Sequence, residues 1–163
     1  MKILSLHGYG SKPHQDRIDI LSKYGDVTAP HLFYEKDGDI KIWPLVQELQ
    51  PDCIIGHSHG GMLAYTITFD GKITPKVPIL LFNPALGRVK YTPLQTNPNT
   101  YWVLGEDDDI IRPDVQIGFL KQHFPLDWQK KVHVEPNLGH RIPPDIFEKH
   151  TSLFFEEYFP RHS

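Results

Sequence analysis

Short, almost continuously apolar runs, each followed by a longer amphipathic stretch, restrict the folds open to this chain more than any other feature. Residues 2–6, 27–32, 52–56, 77–82, 101–104 and 131–135 read as strands. Residues 14–23, 39–49, 60–69, 113–124 and 145–159 read as helices between and after them. Ile18 and Leu21 fall at helical spacing, Ile40, Trp43, Val46 and Leu49 recur every three residues, and Phe147, Phe154 and Tyr158 share a face. Pro44 leaves the start of the second helix open, whereas Pro113 suits a first turn. A sheet with one wet face shows alternating strands. These strands do not alternate, so both of their faces are expected to be buried, as in a parallel sheet covered by helices. The expectation is a single α/β domain over residues 1–163 with a mostly parallel sheet of about six strands flanked by helices. Ligands in such open sheets bind beyond the carboxyl ends of the strands, so the residues that follow each strand are the ones to search for chemistry.

Composition closes off several classes. With 163 residues, 39% hydrophobic and 12% aromatic, the chain can bury a core without disulfides or metals and is not a disordered segment. Seventeen basic against 20 acidic side chains give a formal charge of −3, so no nucleic-acid partner is expected. Ten histidines make the charge sensitive to mild acid. The single cysteine, Cys53, excludes an internal disulfide and a cysteine-based zinc site, and reads as a small buried hydrophobe. The first residues offer no apolar stretch of the roughly 7–15 residues that a secretory leader needs. Runs such as Ile79-Leu80-Leu81-Phe82 fall far short of the roughly 20 residues of a membrane span. A cytoplasmic protein with no membrane partner is expected, and the sequence says nothing of its oligomeric state.

The most informative motif is Gly56-His57-Ser58-His59-Gly60, which leaves a predicted strand and opens a predicted helix. In that context Gly-x-Ser-x-Gly marks a nucleophile elbow: the turn is so sharp that the serine backbone is strained and its hydroxyl stands over the sheet edge. Glycines at 56 and 60 remove the Cβ atoms that would clash as strand and helix pass, and Gly61 lets the helix approach the sheet. The helix N-terminus then points at the site of a developing oxyanion. A plain glycine-rich turn is the alternative. After the first strand, His7-Gly8-Tyr9-Gly10-Ser11 brings further backbone amides to the same edge, so the Tyr9 and His59 N–H groups would form a two-donor oxyanion hole. This segment matches neither the P-loop nor the dinucleotide fingerprint. His57 and His59 form a His-x-His pair that could bind a metal. Their positions around an elbow and the lack of further ligand-rich segments speak against it, so neither a metal nor another cofactor is expected.

Taken together, the His-Gly-x-Gly opening, the Gly-His-Ser-His-Gly-Gly elbow, the Gly105-Glu106-Asp107-Asp108 segment and the late Gly139-His140 stand in the order of a small α/β-hydrolase, which the chain resembles over roughly residues 3–159. The compact length, the Leu-His-Gly-Tyr-Gly-Ser start and Phe82-Asn83-Pro84-Ala85 are most similar to the YqiA-type bacterial esterases. The resemblance implies a Ser–Asp–His triad: Ser58 as nucleophile, Asp108 as acid and His140 as general base. Asp107 and Asp109 remain open as the acid, and Glu106 less so. His133 and His150 would sit inside a strand and a helix, in structural roles, and His7 would hold the loop after the first strand. The chain is too short for the cap domain that many of these enzymes insert. The longest loop runs from Pro84 to Thr100, with Pro93 and Pro98 discouraging regular structure.

The expected function is hydrolysis of a small-molecule ester or thioester through an acyl-enzyme, in the manner of a carboxylesterase. Leu86, Ile110 and Ile111 are candidates for an apolar acyl pocket, with core packing as their other role. Two alternatives stand beside this reading. One is a non-catalytic binding protein on the same scaffold. The other is the same triad turned on an amide, a lactone or a carbon–carbon bond.

Overall fold

A computed structural model describes residues 1–37, 41–69, 76–86 and 97–161. Strand β1 (Lys2–Leu6) leads through α1 (Gln15–Leu21) to β2 (Asp26–Thr28), and two helices, α2 (Tyr34–Asp37) and α3 (Ile42–Leu49), precede β3 (Cys53–His57). Then come α4 (His59–Phe69), β4 (Ile79–Phe82), β5 (Thr100–Gly105), α5 (Pro113–His123), α6 (Trp128–Lys131), β6 (Val132–Glu135) and α7 (Pro144–Tyr158). The strands form one sheet in the order β2-β1-β3-β4-β5-β6, and every neighbouring pair is parallel. From β1 the chain winds outward to β2, then crosses back and winds the other way from β3. The strand order therefore reverses between β1 and β3, where Leu6 pairs with Gly56. Loops leaving a sheet at such a point diverge and open a crevice.

The period-2 alternation of side chains sorts the apolar strand residues onto two covered faces. Leu4, Leu6, Ile54, Leu81, Trp102 and Leu104 pack with Ile42, Val46, Leu63, Ile67 and Leu120, so α3, α4 and α5 cover one face. Ile3, Cys53, Ile55, Leu80, Phe82, Tyr101 and Val103 pack with Leu21, Phe147, Phe154 and Phe155, so α1 and α7 cover the other. Burying a Leu, Ile or Phe side chain contributes roughly 1.5–3 kcal/mol, so a strand apolar on both faces is held from both sides.

Two expectations are corrected. The strand expected over 27–32 ends at Thr28. Pro30 has no N–H for a ladder, and the Leu32 N–H instead donates to Nε2 of His7 at 2.9 Å. The helix expected over 39–49 begins at Ile42, which leaves Pro44 in the first turn, where a missing N–H costs no helical bond; Ile40 lies outside the described residues. The short helices α2 and α6 were not legible in the apolar pattern. Of the 84–100 loop, residues 87–96, including Pro93, lie outside the described residues. No helix of the described residues is long and apolar enough to cross a membrane.

Candidate active site

Ser58 stands between the last residue of β3 and the first of α4, in the left-handed region at φ 55°. That conformation is costly for a serine and persists because its neighbours overdetermine it. The Ser58 N–H donates to Phe82 O at 3.0 Å, and its carbonyl accepts from Met62 N and Ala85 N, both at 3.1 Å. A Cβ on Gly56 would fall 2.4 Å from Gly60 O, and one on Gly60 would fall 2.3 Å from Leu6 O. No side chain fits either gap. Gly61 lets the helix approach the sheet as expected, since its Cβ would lie 3.3 Å from Gly56 O of β3, and it also clears Pro84, whose Cβ that atom would meet at 2.9 Å.

The loop after β1 comes up beside the serine. A Cβ on Gly8 would lie 3.5 Å from Ser58 Cβ. Buried His7 fixes this loop, with Nδ1–H donating to Gly8 O at 2.8 Å and Nε2 accepting from Leu32 N. The Tyr34 hydroxyl donates to His7 O at 2.9 Å. Burial lowers the His7 pKa, in keeping with a neutral ring that donates at one nitrogen and accepts at the other. Tyr9 is exposed and stacks on Tyr34, while the His59 ring meets Tyr34 edge-on at 4.5 Å.

His140 lies beyond β6, ahead of α7, and reaches the serine: its Nε2 is 3.0 Å from Ser58 Oγ, and its Nδ1 is 2.8 Å from Asp108 Oδ2. A carboxylate only accepts, so Nδ1 carries the proton and Nε2 faces the serine hydroxyl as acceptor. The Asp108 side chain is fully buried, and its other oxygen accepts from Ile110 N at 2.9 Å and Ile111 N at 2.8 Å. Glu106, Asp107 and Asp109 are exposed. Of that acidic run, it is Asp108 that the structure brings to the imidazole.

Two residues unassigned from the sequence hold the histidine in place. Asn83, buried at φ 42° directly after β4, accepts from Gly105 N through Oδ1 at 2.7 Å. Its Nδ2 donates to Gly139 O at 3.0 Å and to His140 O at 3.2 Å. His57 donates from Nε2 to the same His140 carbonyl at 2.8 Å. Burial, then the nearby Arg17 charge, pushes the His57 pKa down to about 3, so this ring is a neutral donor across the working pH range. A polar residue between a buried strand and a proline, as in Phe82-Asn83-Pro84, was the available signal for Asn83.

A cleft of about 550 Å³ opens above Ser58 and His140. Its walls include the 8–11 loop, His14 and Arg17 of the α1 region, Ile110, Arg141 and Ile142. Of the three apolar-pocket candidates, Ile110 is exposed and lines this cleft. Leu86 is fully buried in the core, and Ile111 is buried with its amide on Asp108, so neither lines the cleft. His57 and His59 turn to different partners, and among the described residues no cluster of three or more His, Cys, Asp or Glu could hold a metal ion. Cys53 is fully buried in β3, with its thiol pushed up to about 12 by burial. His133 lies in β6 stacked on Tyr101, and His150 lies in α7 bonded to Glu135 at 2.6 Å.

The sheet order, the covering helices and the sharp turn after β3 are those of an α/β-hydrolase fold. Solved structures with that architecture match along nearly the whole chain. Esterase PE8 superposes with a TM-score of 0.65 at 19% identity, over 97% of this chain and 92% of its own. XC6422 from Xanthomonas campestris, described as a member of the a/b serine hydrolases without a lid, gives 0.69 at 16% identity, over 99% and 84%. SOBER1 from Arabidopsis thaliana gives 0.65 at 14% identity, over 97% and 98%. At these identities the likeness is one of fold. No family model and no curated protein matches the chain in sequence.

Proposed function

We propose that this protein is a serine hydrolase that cleaves a carboxylic ester or thioester of a small molecule through an acyl-enzyme. The observation that carries the reading is the unbroken line of hydrogen bonds from Ser58 Oγ through His140 to buried Asp108, opening onto a cleft. Ser58 Oγ attacks the scissile carbonyl while Nε2 of His140 takes its proton. Asp108 holds the Nδ1–H tautomer and stabilises the imidazolium that forms. The oxyanion lies between the Tyr9 and His59 amides, each such donor being worth about 3–4 kcal/mol in the transition state. The imidazolium returns its proton to the leaving alcohol or thiol. Water, deprotonated by the same imidazole, then attacks the acyl-enzyme, and the acid departs with Ser58 restored.

The open cleft and the absence of a cap among the described residues favour short or flexible acyl groups, with Ile110 as an apolar contact. Two of the proteins that share this fold, esterase PE8 and the Pyrococcus furiosus esterase PF2001, support the ester over the amide. The Leu-His-Gly-Tyr-Gly-Ser segment and Phe82-Asn83-Pro84-Ala85 support a relationship to the YqiA-type esterases. A fluorophosphonate probe is expected to label Ser58, and p-nitrophenyl esters of short acids to be hydrolysed, with both signals lost in Ser58→Ala and His140→Ala. Undiminished labelling of Ser58→Ala at another residue would overturn the assignment.

A further inference from the structure

We propose that the Ser58 cleft selects esters bearing an anionic group, a carboxylate or a phosphate, remote from the scissile carbonyl, and that Arg17 receives that group. This deepens the hydrolase reading above and rests on it. Arg17 projects from α1 into the same cleft that holds Ser58 and His140. It is half-buried, with its guanidinium carbon 5.3 Å above the ring of Phe147. A guanidinium has five N–H donors in a fixed plane and no way to discard its charge. Among the described residues no carboxylate or carbonyl takes those donors. By contrast, Lys131, which is also withdrawn from solvent, donates to Pro98 O at 2.5 Å, and exposed Arg112 is paired with Asp114.

The charge around the reacting atoms points the same way. The chain as a whole is acidic, at −3, yet the cleft is lined by two guanidiniums, Arg17 and the exposed Arg141, against one carboxylate, Asp16. Asp16 is exposed, and its Oδ1 accepts the backbone N–H of Arg17 at 2.8 Å, leaving the guanidinium to the cleft. Burial lowers the Arg17 pKa, a shift that an anion lodged against it would reverse. A half-buried, unpaired cation in a reactive cleft gives a neutral ester nothing, but it supplies a planar, bidentate fork to a carboxylate or phosphate.

Three substrates test this: p-nitrophenyl butyrate as the neutral reference, mono-p-nitrophenyl glutarate with its charge on the acyl side, and the butyrate ester of glycerol 3-phosphate with its charge on the alcohol side. The expected result is at least a tenfold higher kcat/KM for one of the charged esters than for the neutral one. That ratio collapses at least tenfold in Arg17→Gln and is partly kept in Arg17→Lys, and the favoured ester reveals which side the anion occupies. A wild-type preference for the neutral ester, or an unchanged ratio in Arg17→Gln, would overturn the proposal while leaving the hydrolase reading intact. A turnover-free arm separates the two failures. Ser58→Ala protein is titrated with monomethyl glutarate and glycerol 3-phosphate by calorimetry, with and without Arg17→Gln. Binding at least tenfold weaker in the double variant supports the subsite even if no ester is cleaved, and equal or absent binding of both probes rejects it.

Discussion

At the scale of single residues, the tightest constraint is the tautomer of His140. Asp108→Asn keeps an oxygen for the Ile110 and Ile111 amides but turns an N–H toward Nδ1, which forces the proton onto Nε2, where the serine needs an acceptor. On the proposed mechanism kcat should fall by about 10³–10⁴ with KM nearly unchanged, because the effect is confined to the transition state. Steady-state kinetics on a chromogenic ester would read this, and a loss below tenfold would remove Asp108 from the role. Asn83→Ala makes a different prediction. It orphans the Gly105 amide and weakens the anchoring of the His140 carbonyl, so stability should drop by about 1–3 kcal/mol in urea melts. His57 still donates to that carbonyl, so catalysis should be reduced but not abolished.

Elements are limited by how closely backbones approach. The elbow exists because β3, α4 and β1 meet where no Cβ fits. Gly60→Ala would push a methyl into the Leu6 carbonyl and should give insoluble protein or a Tm lower by many degrees. Gly118, on the exposed face of α5, has nothing within 4 Å of an added Cβ. Gly118→Ala should therefore stabilise the protein by about 0.5–1 kcal/mol, since a mid-helix glycine loses more backbone entropy on folding. Thermal melts of the pair check this, and equal effects would sink the packing argument. The elbow motif marks Gly60 as a close-approach glycine in the sequence, whereas nothing in the sequence around Gly118 shows that its surroundings are open.

Across the whole molecule, burial sets how the fold responds to acid. His7, His14, His57, His123, His133 and His150 all have pKa values below the ordinary 6.5, with burial as the leading cause in each. Below about pH 6.5 the unfolded chain takes up protons that the native state resists. Stability should be fully present above that pH and fall as the solution is acidified, by up to about 1.4 kcal/mol per pH unit for each proton of difference. Glu135, held low by Lys149, adds its own loss only below its ordinary 4.5, so the interval from pH 6.5 to 5 isolates the histidines. The urea midpoint should be lower at pH 5 than at pH 7, and His57→Gln should make that slope shallower. A midpoint independent of pH over this interval would contradict the burial argument.

Local chemistry carried much of this in one dimension. Runs of Ile, Leu, Val and Phe without polar alternation can only be strands covered on both faces, and a serine between two glycines at a strand–helix junction can only be a sharp turn. Sheet class, the approximate number of strands and the position of Ser58 were therefore legible, while the order in which Asp108 and His140 follow it came from the resemblance to the α/β-hydrolases. Strand 27–32 was overread, because a proline and a competing histidine acceptor withdrew its amides from the ladder. What only tertiary structure decided is which of three consecutive aspartates is buried against the imidazole, that His57 and Asn83 share the carbonyl of a residue far along the chain, and that Leu86 and Ile111 face the core while Arg17 faces the cleft. Periodicity and spacing report interactions within a segment. These outcomes depend on where the ends of β1, β3, β4, β5 and β6 meet, and desolvation at that meeting point assigns each side chain its role.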